Sequence, residues 1–445
     1  MVDKVEVLDS IMGSGKTQNI IRWMESHPEE KYVYVSPLLS EVEEGGRLSR
    51  NLKNLSFEYP QNDLYSKGED MLAKLKAGYN IACTHSLYLS LTEEHLNQIK
   101  EHGYTVIIDE EVNLISAVTE YTRGDYRWLF EHSHIETDNV TGQVSWIGDD
   151  TLPKDNKYFK FKTYCDNNSM YVTKRDNYMM VSQLPISLIS CAKRVIILTY
   201  MFDGNILDCF LKIKGIEVIK FDEFTLEDSH KSDIPNLVDL IKPPKTLFDM
   251  NMTKSWYDNK ITTDDISHIE KFVTNTALRN GATLEDVLYT HPKDRFESDS
   301  KRKLLIKPKG YYKKRDGKGG FNKCWLASST KATNLYADKW CLIHCYNRYP
   351  QTPVEAYIND YGSDMGVRLN AEVFALSEML QWVWRSRIRK GEHIVLAIGS
   401  ARMCRIFSRW LESQRLSVRK SLISMLTKLF SAYSIRFNKQ TTGNR

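Results

Sequence analysis

Asp9-Ser10-Ile11-Met12-Gly13-Ser14-Gly15-Lys16-Thr17 follows directly on the apolar run Val5-Glu6-Val7-Leu8, and this junction decides the fold. The run has strand character, and Gln18-Asn19-Ile20-Ile21-Arg22-Trp23-Met24 behind it repeats with helical periodicity. Between the two, Gly13 and Gly15 let the backbone approach an anion closely. The N–H groups from Gly13 to Thr17 wrap phosphate, the Lys16 ammonium neutralises its charge, and the Thr17 hydroxyl holds Mg²⁺. The helix N-terminus points at the same place. Strand, loop and helix in this order predict a nucleotide site built from Gly13, Ser14, Gly15, Lys16 and Thr17. The consensus loop opens with Gly where this chain has Ser10, which is also small.

Nucleotide hydrolysis needs a second group to manage metal and water, and Thr105-Val106-Ile107-Ile108-Asp109-Glu110-Glu111-Val112 offers one. Its β-branched run reads as a buried parallel strand. A parallel nucleotide-binding sheet gathers its ligands at the strand carboxyl ends. Asp109 then supports Mg²⁺ with Thr17, and Glu110 polarises the attacking water. Taken alone, the acidic string reads equally well as a surface turn; the phosphate loop upstream favours the catalytic reading.

A chain of 445 residues is too long for one ordinary core and predicts two domains. Its 42% hydrophobic and 27% charged residues are ordinary globular usage. No apolar run approaches the roughly 20 residues that span a bilayer, and Asp3, Lys4 and Glu6 interrupt anything resembling a signal peptide. The expectation is a cytoplasmic protein without a membrane partner. The eight cysteines form no C-x-x-C pair, and Cys341-Leu342-Ile343-His344-Cys345 reads as buried strand rather than metal site. A net charge of +4 does not by itself imply a nucleic-acid partner, so the distribution of charge matters more.

Along the chain, strand patterns at Lys31–Val35, Tyr79–Cys83 and Arg194–Leu198 alternate with helical ones at Glu69–Leu75 and Glu93–His102. This is the pattern of a parallel sheet with crossover helices. About residues 127–184 it breaks into short runs with turn signals, read as a β-rich insertion. The predicted division is a first domain over 1–222, a polar, proline-containing linker over 223–253, a second α/β domain over 254–412 and a basic extension over 413–445. Strands near Val287–Thr290, Trp340–His344 and Ile394–Ile398, with helices over Asp264–Asn280 and Ala371–Arg389, make up the second domain. Basic residues interleaved with Tyr311 and Tyr312 between Lys301 and Arg315 suit either nucleic-acid contact or a solvated loop.

The order of these motifs resembles superfamily 2 helicases of DEAD/DEAH type, most closely a phage-encoded group. Met12–Thr17 is similar to motif I, Val35-Ser36-Pro37-Leu38-Leu39-Ser40-Glu41 to motif Ia, and Cys83-Thr84-His85-Ser86-Leu87 to the next strand-contacting motif. Asp109-Glu110-Glu111-Val112 resembles motif II. Leu198–Gly204 sits where motif III belongs, with Thr199-Tyr200-Met201 in place of Ser-Ala-Thr. Lys331–Tyr336 resembles motif V and Gln381–Arg389 motif VI. The resemblance implies two RecA-like domains, each a parallel sheet flanked by helices, with ATP and Mg²⁺ between them and a nucleic-acid strand across both. It implies Lys16 and Glu110 as catalytic groups, with Arg385 and Arg389 as arginine fingers. Ser36, Thr84, Thr333 and Asn334 would contact backbone phosphates. In motif VI, Trp384 stands where Gly is usual and Ile388 where a second Arg is usual; Arg389 lies four positions beyond Arg385, so on a helix the two would share a face.

The function expected is an ATP-driven helicase or translocase in phage replication or recombination, in the host cytoplasm. DNA is preferred over RNA on the resemblance alone, and replication proteins are further candidate partners. The alternatives are an ATPase stimulated by nucleic acid without unwinding, and an ATP-switched DNA-binding module for origin recognition or loading. Glu110 weighs against a pure switch, which has no need of a water-activating carboxylate. A packaging motor is disfavoured because no acidic nuclease cluster follows Glu223.

Overall fold

A parallel strand buried on both faces needs apolar side chains pointing both ways, and the sequence supplies them. A computed structural model describes residues 3–62, 66–174, 178–226, 233–297, 304–312, 323–330 and 335–416. Strands β1 (Lys4–Asp9), β2 (Tyr32–Ser36), β3 (Ile81–Thr84) and β4 (Thr105–Asp109) lead into an insertion. That insertion carries β5 (Ile115–Ala117), β6 (Ile135–Thr137), β7 (Val144–Trp146), β8 (Met170–Val172) and β9 (Met180–Gln183). The chain then returns through β10 (Arg194–Thr199) and β11 (Glu217–Lys220). The main sheet runs β11-β1-β10-β4-β2-β3, with every neighbouring pair parallel.

Alternation along β2 shows how the layers form. Val33 and Val35 pack with Met71 and Leu75 of the helix Lys67–Lys76 and with Ile99 of the helix Glu93–Glu101. Tyr32 and Tyr34 face the other way, toward Ile20, Ile21 and Met24 of the helix Lys16–Glu25. All of these side chains are buried, and each aliphatic one contributes about 1.5–3 kcal/mol relative to exposure. A capping box between Ser66 and Glu69 starts the helix Lys67–Lys76.

The insertion is β-rich, as expected, and also carries helices. It holds the antiparallel sheets β5-β9-β8 and β6-β7 together with the helices Arg123–Glu131 and Phe159–Asp166. Tyr126, Leu129, Phe161, Met170 and Val172 form its own core.

Contacts divide the chain into two units, 1–226 with 349–377, and 227–348 with 378–445. The return of 349–377 to the first unit departs from the expected boundaries. Its cause is apolar: the helix Thr352–Gly362 places Val354, Tyr357 and Ile358 in the first unit's core beside Leu207 and Phe210. In the second unit, β12 (Val238–Ile241), β13 (Val287–Thr290), β14 (Cys341–His344) and β15 (Ile394–Ile398) form a parallel sheet ordered β12-β15-β14-β13. β12 lies inside the stretch read as linker. Among the described residues it is an edge strand paired with β15 alone, and it tolerates Asp239, so its polarity concealed it.

The helix expected over Ala371–Arg389 ends at Val383. Arg385 N–H donates to Trp382 O at 3.1 Å, and Ser386 N–H to Val383 O at 3.1 Å. The Ser386 hydroxyl also donates to Val383 O, at 2.7 Å, and Ser386 turns to extended backbone before a short 3₁₀ turn over Arg387–Lys390. Arg385 and Arg389 therefore do not share an α-helical face; Arg385 is buried and Arg389 exposed.

Candidate nucleotide site

The sheet register brings the two sequence-predicted motifs together. Asp9 at the end of β1 lies opposite Thr199 of β10, and Leu198 of β10 opposite Asp109 of β4. The loop after β1 and the acidic turn after β4 thus open from the same, carboxyl-terminal side of the sheet.

Gly13 and Gly15 adopt left-handed backbone, at φ 81° and 82°. A Cβ on Gly15 would also stand 3.2 Å from Asn19 Nδ2, so an L side chain there meets both strain and crowding. The helix begins at Lys16, with Gly15 as its N-cap, and its first N–H groups face the loop. Lys16 Nζ donates to Ser10 O and, at 3.1 Å, to Ile11 O, inside the curve of the loop. Ser10 Oγ and Ser14 Oγ are buried with no hydrogen-bond partner among the described residues. Such groups carry a desolvation cost that a phosphate oxygen would relieve. The donor set fits a phosphate chain.

Thr17 Oγ1 donates to Asp109 Oδ2 at 2.9 Å across 92 residues of sequence. Tyr34 OH donates to the same oxygen at 2.8 Å. Burial, reinforced by the nearby Glu41 and Glu110 carboxyls, pushes the Asp109 carboxyl up to about 6, against the two hydroxyl donors. Burial and Asp109 push the Tyr34 phenol well above its usual range, so it stays a donor. A cation beside Asp109 would reverse the balance, since it favours the ionised carboxylate. The hydroxyl–carboxylate pair therefore suits Mg²⁺.

Glu110 sits at φ 64°, unusual for a side chain this large. Its N–H donates to Leu198 O at 3.0 Å, and the left-handed turn ends the strand and redirects the chain. Glu111 accepts from Thr199 Oγ1 at 2.7 Å and, more weakly, from Asn205 Nδ2 at 3.4 Å. Asp9 caps the same segment by accepting from Met201 N and Phe202 N at 2.9 and 3.0 Å. Tyr34 and Asn205 escape the sequence reading, and Asp9 enters it only as the start of the loop; their long-range partners mark them, and spacing carries no trace of those.

The remaining expected residues are placed as follows. Ser36 is fully buried, and its hydroxyl donates to Glu41 Oε2 at 2.8 Å, so it does not present that group to a nucleic-acid strand. Thr84 is partly exposed and caps the short helix His85–Tyr88 through Leu87 N. Thr333 and Asn334 lie outside the described residues, as do 301–303 and 313–315 of the basic run. Arg387, between the two candidate fingers, donates to His393 O at 2.6 Å and lies 5.5 Å over the Trp340 ring.

The second unit has a cleft of about 490 Å³ beyond β13, lined by Lys254, His291, Lys293, Ser328, Tyr346 and Arg348 among others. Like the first site, it opens where parallel strands end. His291 is 1% exposed, and burial pushes its imidazole down to about 4.

No helix among the described residues is long and apolar enough to cross a membrane. Residues 234–411 match the family described as the YonV C-terminal Rossmann-like domain. A solved structure of apo XPD, 13% identical, superposes over 93% of this chain and 95% of its own with a TM-score of 0.50. That likeness is one of fold. Xpd4 of S. tokodaii has a TM-score of 0.47 at 11% identity, covering 92% of this chain and 94% of its own. The SPbeta prophage-derived uncharacterized protein YonV of Bacillus subtilis (strain 168) is 30% identical over 433 residues, which are 93% of this chain and 100% of that relative. With that identity along the relative's whole length, the chain belongs to the YonV family.

Proposed function

We propose that the protein is an ATP-dependent helicase or translocase that hydrolyses ATP with Mg²⁺ and moves along DNA during phage replication or recombination. The observation that carries this reading is the Thr17–Asp109 hydrogen bond, which joins a phosphate loop to an acidic strand end at the carboxyl-terminal side of a parallel sheet. The prophage origin of the relative supports the phage setting and a host cytoplasmic location.

In this reading the loop amides from Gly13 to Thr17 and Lys16 bind the phosphates, while Thr17 and Asp109 hold the metal. Bound Mg²⁺ supplies charge neutralisation on the transferring phosphoryl group. Glu110 orients the attacking water and accepts its proton. Arg385 and Arg389 are assigned as the cations that stabilise the transition state. Thr84, with Thr333, Asn334 and the basic side chains of the second unit's cleft, is assigned to backbone phosphates.

Steady-state ATPase rates without polymer, and with single-stranded DNA, duplex DNA and single-stranded RNA at two salt concentrations, test the reading. Strong stimulation by single-stranded DNA that weakens with salt is expected. A rate indifferent to every polymer would overturn the motor and leave an ATP-driven switch.

A further inference from the structure

The third residue of β2, Tyr34, faces the helix Lys16–Glu25 in a largely apolar layer, where a leucine or phenylalanine would also fill the place. Tyr34 is 1% exposed, so its hydroxyl is stripped of water, which is costly unless a partner replaces the lost hydrogen bonds. That partner is Asp109 Oδ2, at 2.8 Å. The geometry follows from the register. Tyr34 lies opposite Ile107 on β4, and alternation puts Ile107 and Asp109 on the same face. The long phenol therefore spans two residues along the sheet and meets the carboxylate at the strand end.

We infer that Tyr34 is a positioning residue for the metal site, holding the Asp109 carboxylate in the orientation that receives Mg²⁺. This rests on the reading of Asp109 as a metal ligand. Oδ2 has two hydroxyl donors, but the Thr17 donor is itself an expected ligand. Tyr34 is the donor with no other duty, and it comes from a strand interior rather than a loop, so its position is stiff. Groups that orient metal-binding carboxylates typically contribute about 10–100-fold to metal affinity.

The test uses the full chain with Tyr34→Phe, which keeps the ring and removes one oxygen. Binding of a fluorescent ADP analogue is titrated with Mg²⁺, so that the readout does not depend on turnover. The half-saturating Mg²⁺ concentration is expected to rise about tenfold, with nucleotide affinity in the absence of metal unchanged. Asp109→Asn should abolish the metal dependence, and adding Tyr34→Phe to it should then have no further effect, because the phenol acts through the carboxylate. A half-saturation within twofold of the parent, or an added effect in the Asp109→Asn background, would overturn the inference and leave the nucleotide site standing. If the parent's nucleotide binding ignores Mg²⁺, the metal reading of Asp109 and the role of Tyr34 both fail.

Discussion

At the scale of single residues, the site is a set of groups held where isolated side chains would not rest. Glu110 occupies left-handed backbone, and Asp109 is a carboxyl raised by burial between two hydroxyl donors. These departures define what substitution should do. Lys16→Ala removes the charge inside the loop and should eliminate hydrolysis. Glu110→Gln keeps size and backbone but cannot take a proton, so kcat should fall by about 10²-fold or more while nucleotide still binds. A steady-state rate beside a binding isotherm separates the two effects, and a Gln variant turning over at the parental rate would remove Glu110 from the chemistry. The glycine spacing and the Asp-Glu pair were legible in the sequence because the chemistry proposed for them calls for fixed residue types at short separations. Tyr34 was not: its hydroxyl has meaning only beside Asp109, 75 residues away. Ser36 failed for the opposite reason. Its motif position suggested a surface contact, whereas packing at the strand end turned it inward to Glu41.

At the scale of elements, strong periodicity was readable and weak termini were not. The buried strands of both sheets carry apolar runs that announce themselves, but the edge strand β12 does not. Helix ends are decided by local hydrogen bonds, so the arginine-bearing turn after Val383 was extrapolated as helix. The insertion illustrates such local control. Asp125, buried at the start of the helix Arg123–Glu131, accepts from Thr122 N and Thr122 Oγ1 at 2.8 and 2.7 Å, from Tyr158 OH at 3.2 Å and from Lys157. The Lys157 ammonium, followed by the Thr122 amide, holds its carboxyl well below the usual range. Asp125→Ala should destabilise the insertion by about 1–2 kcal/mol through loss of the cap and its partners. Faster amide exchange over 123–131, with the main sheet unchanged, is the expected measurement.

At the scale of the whole molecule, the second unit should be sensitive to acid. His291 and His344 are buried at the carboxyl ends of neighbouring strands. Burial pushes them down to about 4 and about 3 from an ordinary 6.5, with Arg348 adding to the effect on His344. Both stay neutral in the fold while the unfolded chain takes up protons, so the stability they support is present above pH 6.5 and lost as pH falls toward 4. The slope approaches about 1.4 kcal/mol per pH unit for each histidine. Denaturant unfolding at pH 7, 6 and 5 should show it, and His344→Phe should roughly halve the slope, leaving the part due to His291; a slope unchanged by that substitution would assign the acid sensitivity elsewhere.

The return of residues 349–377 to the first unit has a consequence for how the protein is made. As the chain leaves the ribosome, the first unit emerges first but lacks Val354, Tyr357, Ile358 and Leu369, which complete its apolar interior. Those side chains arrive only after β12, β13 and β14 of the other half have been synthesised. The two halves are therefore interleaved in time as well as in sequence: neither can be finished as an independent product of translation, and the earlier one waits with an open apolar face until the later one is well under way.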